Sequence, residues 1–143
     1  MRDIMTTVPL LQDYDEIVTY IESEIRLARE GIEGKSFSDK NYTGLWDTGS
    51  TKSCISLDVV EELGLEPFGK SIIATANGDV SVYTYTIGIE LPNGAVISDL
   101  LVSASNLSGN EDVLIGMDVI QRGDFHIDNS SGRTNFSFEI RPS

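Results

Sequence analysis

The chain has a single cysteine, Cys54, a single histidine, His126, and a single tryptophan, Trp46. One thiol excludes an intrachain disulfide and leaves no thiolate cluster to hold a metal. No apolar run approaches the roughly 18 residues of a membrane span. The stretch Met1–Gln12 lacks the apolar core of a secretory signal, so a cytoplasmic protein is expected. On that expectation the four Asn-x-Ser/Thr sequons, at Asn41, Asn106, Asn129 and Asn135, are chance matches. Basic residues are scarce too: 10 against 23 acidic ones, a net charge of −13. Nucleic-acid backbones and anionic membrane surfaces both call for clustered Lys and Arg, so neither is an expected partner. Gly-rich phosphate loops are missing, and no metal or cofactor is expected. No internal repeat is visible, and the triplet Asp-Thr-Gly occurs once.

What is present fits one domain of ordinary size. The 143 residues suffice to bury a core without staples, and 40% are hydrophobic. Thirteen Gly with abundant Val, Ile, Thr and Tyr lean toward β structure. Residues 10–28 read two ways. Leu10, Leu11, Tyr14, Ile17, Val18, Ile21, Ile25 and Ala28 fit a helical stripe, whereas Ile21, Ser23, Ile25 and Leu27 alternate like a strand. Residues 30–41 read as a loop. Tyr42–Trp46 reads as a strand ending at Asp47-Thr48-Gly49-Ser50. Ser56 is placed to cap a short helix through Leu63, with Gly64 as its stop. Ser71–Ala74 and Val80–Leu91 flank Asn77-Gly78, a strong hairpin signal, and Pro92-Asn93-Gly94 makes a second turn to Ala95–Ser103. Val113-Leu114-Ile115 reads as a buried strand, Met117–Gln121 as a helical turn, and Phe125–Ile127 with Thr134–Ile140 as a last pair of strands.

Two elements carry chemistry. Asp47 follows a buried-looking strand and precedes small residues; alone, an Asp there is most simply a turn residue. Gly116 of Leu114-Ile115-Gly116 lies 67 residues beyond Gly49, with the Asn-Gly hairpin between them. Either element is common alone, and the ordered combination is rare.

In that combination the sequence resembles the retroviral-type (retropepsin-like) aspartic peptidases, over roughly residues 42–127. The resemblance implies an all-β fold: a closed, barrel-like half of an acid protease with one or two short helices and a flap hairpin. It implies an N-terminal extension with the first strands at 1–41 and a catalytic domain at 42–143. It favours a strand at Ile21–Leu27. Asp47 would be the catalytic acid/base, hydrolysing peptide bonds together with its copy from a second subunit. Thr48 would hydrogen-bond across the dimer axis, and Gly49 and Ser50 would complete the loop. Ala74, Thr75, Ala76, Asn77 and Gly78 would close over a peptide or protein substrate, and Leu114, Ile115 and Gly116 would support the site. A homodimer follows from one Asp-Thr-Gly per chain, although twice the net charge would oppose it at low salt. Apolar Ile72, Ile73, Val80 and Val82 imply apolar side chains beside the cut.

Three departures stand out. Met117 occupies the place where the family often has an Arg that braces the catalytic loop, which leaves Asp118 beside it for different work. Trp46 is bulkier than the usual aliphatic residue, and the hairpin tip is less Gly-rich than in viral enzymes. An inert relative, kept for dimerisation or peptide binding, is the alternative. His126 has no partner for a hydrolytic triad, and no nucleophile elbow exists. Cys54 is expected to be a small buried apolar residue. Asp128–Glu139 has the length of a calcium loop, yet Arg133 stands where Gly is needed.

Overall fold

The computed structural model describes residues 8–30, 36–107 and 109–141. Its elements run β1 (Leu10–Asp13), β2 (Ile21–Arg29), β3 (Tyr42–Trp46), β4 (Cys54–Ser56), α1 (Leu57–Leu63), β5 (Gly69–Thr75), β6 (Gly78–Glu90), β7 (Val96–Ser105), β8 (Val113–Ile115), α2 (Met117–Ile120), β9 (Gly123–Asp128) and β10 (Asn135–Ile140). Residues 10–28 are therefore strand, not helix, wherever they are regular. In β2 burial alternates: Ile21, Ser23, Ile25 and Leu27 point inward, and the polar residues between them are half-buried or exposed. Of the loop expected at 30–41, residues 31–35 lie outside the described residues, and 36–41 form neither strand nor helix.

The larger sheet has the order β2-β3-β8-β4-β7-β6-β5, and β2 also pairs with β6. That second pairing, Arg26–Arg29 against Ile87–Glu90, closes six strands into a barrel. A bulge in β6·β7, between Ile87 and Ile89, adds local curvature. The barrel is filled by Ile25, Leu27, Ile55, Ile87, Ile89 and Ile115, none more than 1% exposed. Strand β6 is long enough to do two jobs. Its second half is buried in the barrel wall, while its first half pairs with β5 in a hairpin that is mostly exposed.

The tip of this hairpin differs from the Asn-Gly turn expected. Thr75 pairs with Gly78, so Ala76 and Asn77 are the two turn residues. Only Gly78 turns left-handed there, at φ 108°. A turn followed by a left-handed Gly is an alternative to the primed turn that Asn-Gly favours. Both choices make a hairpin from the same residues, with the Gly shifted by one place.

Helix α1 follows its sequence signals closely. The Ser56 hydroxyl accepts from the Val59 amide (3.2 Å), and Gly64 ends the helix at φ 62° with its N–H on the Glu61 carbonyl.

A second, three-stranded sheet has the order β1-β10-β9. It joins the chain's two ends, pairing Leu10–Asp13 with Asn135–Phe138. Trp46, at the end of β3, connects this sheet to the barrel. Its ring lies 4.9 Å from Phe138, 5.3 Å from Phe136 and 5.9 Å from Phe125. Its indole N–H donates to the buried Ser23 hydroxyl at 2.8 Å, and that hydroxyl donates to Gln12. The bulk that sets Trp46 apart in the sequence therefore fills the space beneath the β9–β10 hairpin. The stretch considered as a calcium loop, Asp128–Glu139, is the turn of that hairpin together with most of β10.

Candidate active site

Strands β3 and β8 run parallel, with Trp46 opposite Ile115. Their ends deliver two loops side by side, which is how Asp47 and Gly116 become neighbours. The Asp47 amide donates to the Ile115 carbonyl (2.9 Å), so β8 fixes the backbone at this residue. The Asp47 Oδ1 accepts from the Gly49 amide at 2.9 Å, a local turn that orients the carboxylate. Asp47 and Ser50 are half-buried, and Thr48 and Gly49 are exposed. Among the described residues nothing donates to Asp47 Oδ2.

The loop is clamped from the other side by the segment after β8. The Met117 amide donates to the Ser50 carbonyl (2.8 Å). A Cβ at Gly116 would lie 2.8 Å from the Ser50 oxygen and 2.9 Å from the Lys52 oxygen, so only Gly lets the two segments approach this closely. Gly116→Ala is expected to force them apart and to cost about 1–3 kcal/mol, as overpacking does. Urea unfolding would measure it, and an unchanged midpoint would show that the loop has slack.

The bracing role that Met117 lacks falls to Asp118. One carboxylate oxygen accepts the Ser53 amide (2.9 Å) and the other accepts the Ser53 hydroxyl (2.7 Å). The same hydroxyl accepts from the Gly116 amide at 3.0 Å. Ser53 is fully buried and Asp118 half-buried, so this network ties the end of the Asp47 loop to α2 with one side shielded from water. Met117 itself packs at the margin of the core. Asp118→Ala would leave the Ser53 amide and hydroxyl without their acceptor. The expected loss is about 1–3 kcal/mol, seen as a fall in melting temperature on the order of 5 °C. Asp118→Asn, which keeps one acceptor, should lose less; equal losses would mean that shape rather than hydrogen bonding matters here. The sequence marks Asp118 as a residue with different work beside Met117, but Ser53 escapes sequence reasoning because a Ser in a loop looks like an ordinary surface residue.

Beside the loop lies an open cleft of about 600 Å³. Ser50, Thr51, Lys52 and Cys54 line it, as do Phe68–Ile73. Leu101, Val102 and Ser103 of β7 contribute to the lining. Asp47, Thr48 and Gly49 are outside this lining, as are Ala74–Gly78 at the hairpin tip. The structure thus brings Ser50 to the cleft and Leu114–Gly116 against the loop, but leaves the hairpin tip exposed and away from both. Of the apolar residues expected beside a ligand, Ile72 and Ile73 line the cleft and Val80 and Val82 do not. Cys54 is half-buried in the cleft wall, 3.5 Å from the Ser103 hydroxyl, rather than buried in the core. His126 is exposed on β9, paired across the strands with Ser137.

Residues 35–122, a span that includes β3 through α2, match the profile of the family described as "gag-polyprotein putative aspartyl protease". The chain belongs to that family. Solved structures agree with a retropepsin-like fold. A retropepsin-like aspartic protease from Rickettsia conorii superposes with a TM-score of 0.59 at 12% identity, covering 98% of this chain and 100% of that one. The EIAV protease matches at 0.53 with 15% identity, over 72% of this chain and 86% of its own. The simian foamy virus (mac) protease matches at 0.50 with 18% identity, over 71% and 92%. Among curated proteins none matches this sequence. The family match stops at residue 122, before β9, so the β9–β10 hairpin that receives Trp46 lies beyond it. Among the described residues no helix is long and apolar enough to cross a membrane.

Proposed function

We propose that this retropepsin-like chain is an aspartic endopeptidase that works as a homodimer, with Asp47 of each subunit forming the catalytic pair. The observation that carries the reading is the fixed Asp47 carboxylate. It stands at the end of β3 on a loop held by β8 and α2, with Oδ1 engaged by Gly49. Each chain supplies one such loop, so a pair needs two chains.

Two carboxylates about 3 Å apart cannot both ionise readily, and the pair holds one proton. The ionised member takes a proton from a water, which attacks the scissile carbonyl. The protonated member polarises that carbonyl and later helps protonate the leaving amine. These protonation states belong to the pair, not to either Asp47 alone. Thr48, which is exposed in the single chain, hydrogen-bonds to its copy across the axis in this reading. The β5–β6 hairpin acts as the flap, its tip Ala74–Gly78 closing over a bound peptide. Gly49 lets the peptide backbone pass close, and the peptide adds to the site as an extended strand.

A cleavage assay across pH, with and without a pepstatin-like transition-state mimic, tests this reading. Cleavage suppressed by the mimic is expected. A protein that stays monomeric in sedimentation at micromolar concentration and moderate salt, yet cleaves, would contradict the shared pair.

A further inference from the structure

Four strands meet the cleft with one transverse row of small side chains. Gly69 of β5 lies opposite Thr84 of β6, Thr84 opposite Ser103 of β7, and Ser103 beside Cys54 of β4. All four residues line the cleft. Residues directly opposite across paired strands share a face, and the Cys54 sulfur is 3.5 Å from the Ser103 oxygen. Ile73 and Leu101, at even spacing from Gly69 and Ser103 along β5 and β7, stand on that face too and add apolar surface beside the row.

Thr84 is the unusual member. It is only 7% exposed, and among the described residues its hydroxyl bonds to nothing. A hydroxyl sealed from water without a partner is costly. Among the described residues no sealed side-chain oxygen or nitrogen lacks a partner, so the Thr84 oxygen opens on the cleft. Gly69 keeps it open: a Cβ there would lie 3.5 Å from Thr84 Oγ1, so a side chain would cover the hydroxyl.

The Thr84 and Ser103 hydroxyls start from Cβ atoms about 5 Å apart, and each can donate and accept. A carboxamide answers both with one planar group, its oxygen accepting from one hydroxyl and its N–H donating to the other. An aliphatic side chain would cover the hydroxyls and return no bond. A carboxylate would bring a charge into the field of a chain of net charge −13. Neither lysine of the lining is fixed against such a charge. Lys52 is exposed, and the Lys70 ammonium lies over the Tyr83 ring, which is not part of the lining.

Resting on the peptidase reading, we infer that Thr84 is a specificity-determining residue, and that with Ser103 it selects a substrate residue bearing a neutral carboxamide, Gln or Asn. The methylenes of that residue pack on Ile73 and Leu101.

The test uses the full-length protein and peptides that differ only in Gln, Met or Glu at one position, scanned along an apolar sequence. Cleavage is followed with the wild type. Binding is followed separately on Asp47→Asn protein by fluorescence anisotropy, so that the preference is read even where no bond is cut. At one position the Gln peptide should be favoured over its Met twin by about tenfold, the scale of two hydrogen bonds made in place of water, and over its Glu twin as well. Thr84→Val, which keeps the shape and removes a hydroxyl that the chain itself does not use, should bring Gln and Met to near parity; Thr84→Ser should restore the preference. Gly69→Ala, which leaves the hydroxyl but covers it, should weaken the preference too. Circular dichroism checks each fold, and ratios between peptides are unaffected by a general loss of activity. Equal treatment of Gln and Met at every position, a preference for Glu over Gln, or a Gln preference that survives Thr84→Val overturns the inference. Failure of the peptidase reading looks different: no cleavage of any peptide, with the binding order intact.

Discussion

Asp47→Asn is expected to reduce peptide cleavage by about a thousandfold or more, the scale of losing a positioned acid/base. The substitution keeps the shape of the side chain. Its amide oxygen can still accept from the Gly49 amide, the bond that Asp47 Oδ1 makes at 2.9 Å. The β3–β8 contact at this residue runs through the backbone and is untouched. Stability and assembly should therefore be nearly unchanged, and what disappears is the ionisable pair. This separates the peptidase from an inert peptide-binding relative. An inert module would show the same, negligible cleavage in both forms, and equal measurable cleavage by both would assign the activity to other residues or to a contaminant.

Trp46→Ala should have the largest effect on stability, about 3–5 kcal/mol, the range for deleting a large buried aromatic. Trp46 is only 6% exposed and touches three Phe rings from β9 and β10. Its loss opens a void where the second sheet meets the barrel and leaves the buried Ser23 hydroxyl without the indole donor. Against a total stability of roughly 5–15 kcal/mol this is a large share, and melting should fall by on the order of 10 °C. Trp46→Phe keeps most of the packing and loses the N–H, so its cost should be well below that of Ala. If Trp46→Ala cost under about 1 kcal/mol, the β9–β10 hairpin would not depend on this contact. Because Trp46 immediately precedes Asp47, Trp46→Ala should also blur the site; a displacement of about 1 Å can cost on the order of a hundredfold in rate.

The sequence speaks clearly where a local rule acts alone. Ser56 and Gly64 bound α1 because capping is decided within one turn. The hairpin signals at Asn77-Gly78 and Asn93-Gly94 mark two reversals, although the first uses Ala76-Asn77 as its turn. The approach of Asp47 to Gly116 is legible only through the resemblance, since a parallel β3–β8 pair joins residues far apart in sequence. Strand β2 is ambiguous because its apolar residues satisfy both periods; its pairing with β3 on one side and β6 on the other decides the matter. Two features are invisible locally. Asp118 becomes a brace only because Ser53 is buried beneath it. Trp46 is explained by Phe136 and Phe138, some ninety residues later.

The central claim is that Asp47 works only opposite its own copy. Mixing wild-type protein with Asp47→Asn protein tests it most directly, under conditions where the protein is dimeric and subunits exchange. If each active centre needs two wild-type chains, a ninefold excess of the variant should leave about one tenth of the activity of the same wild-type protein alone, as random pairing in a two-fold dimer requires. Activity that stays constant as the variant is added would show that one chain suffices, and would contradict the shared pair.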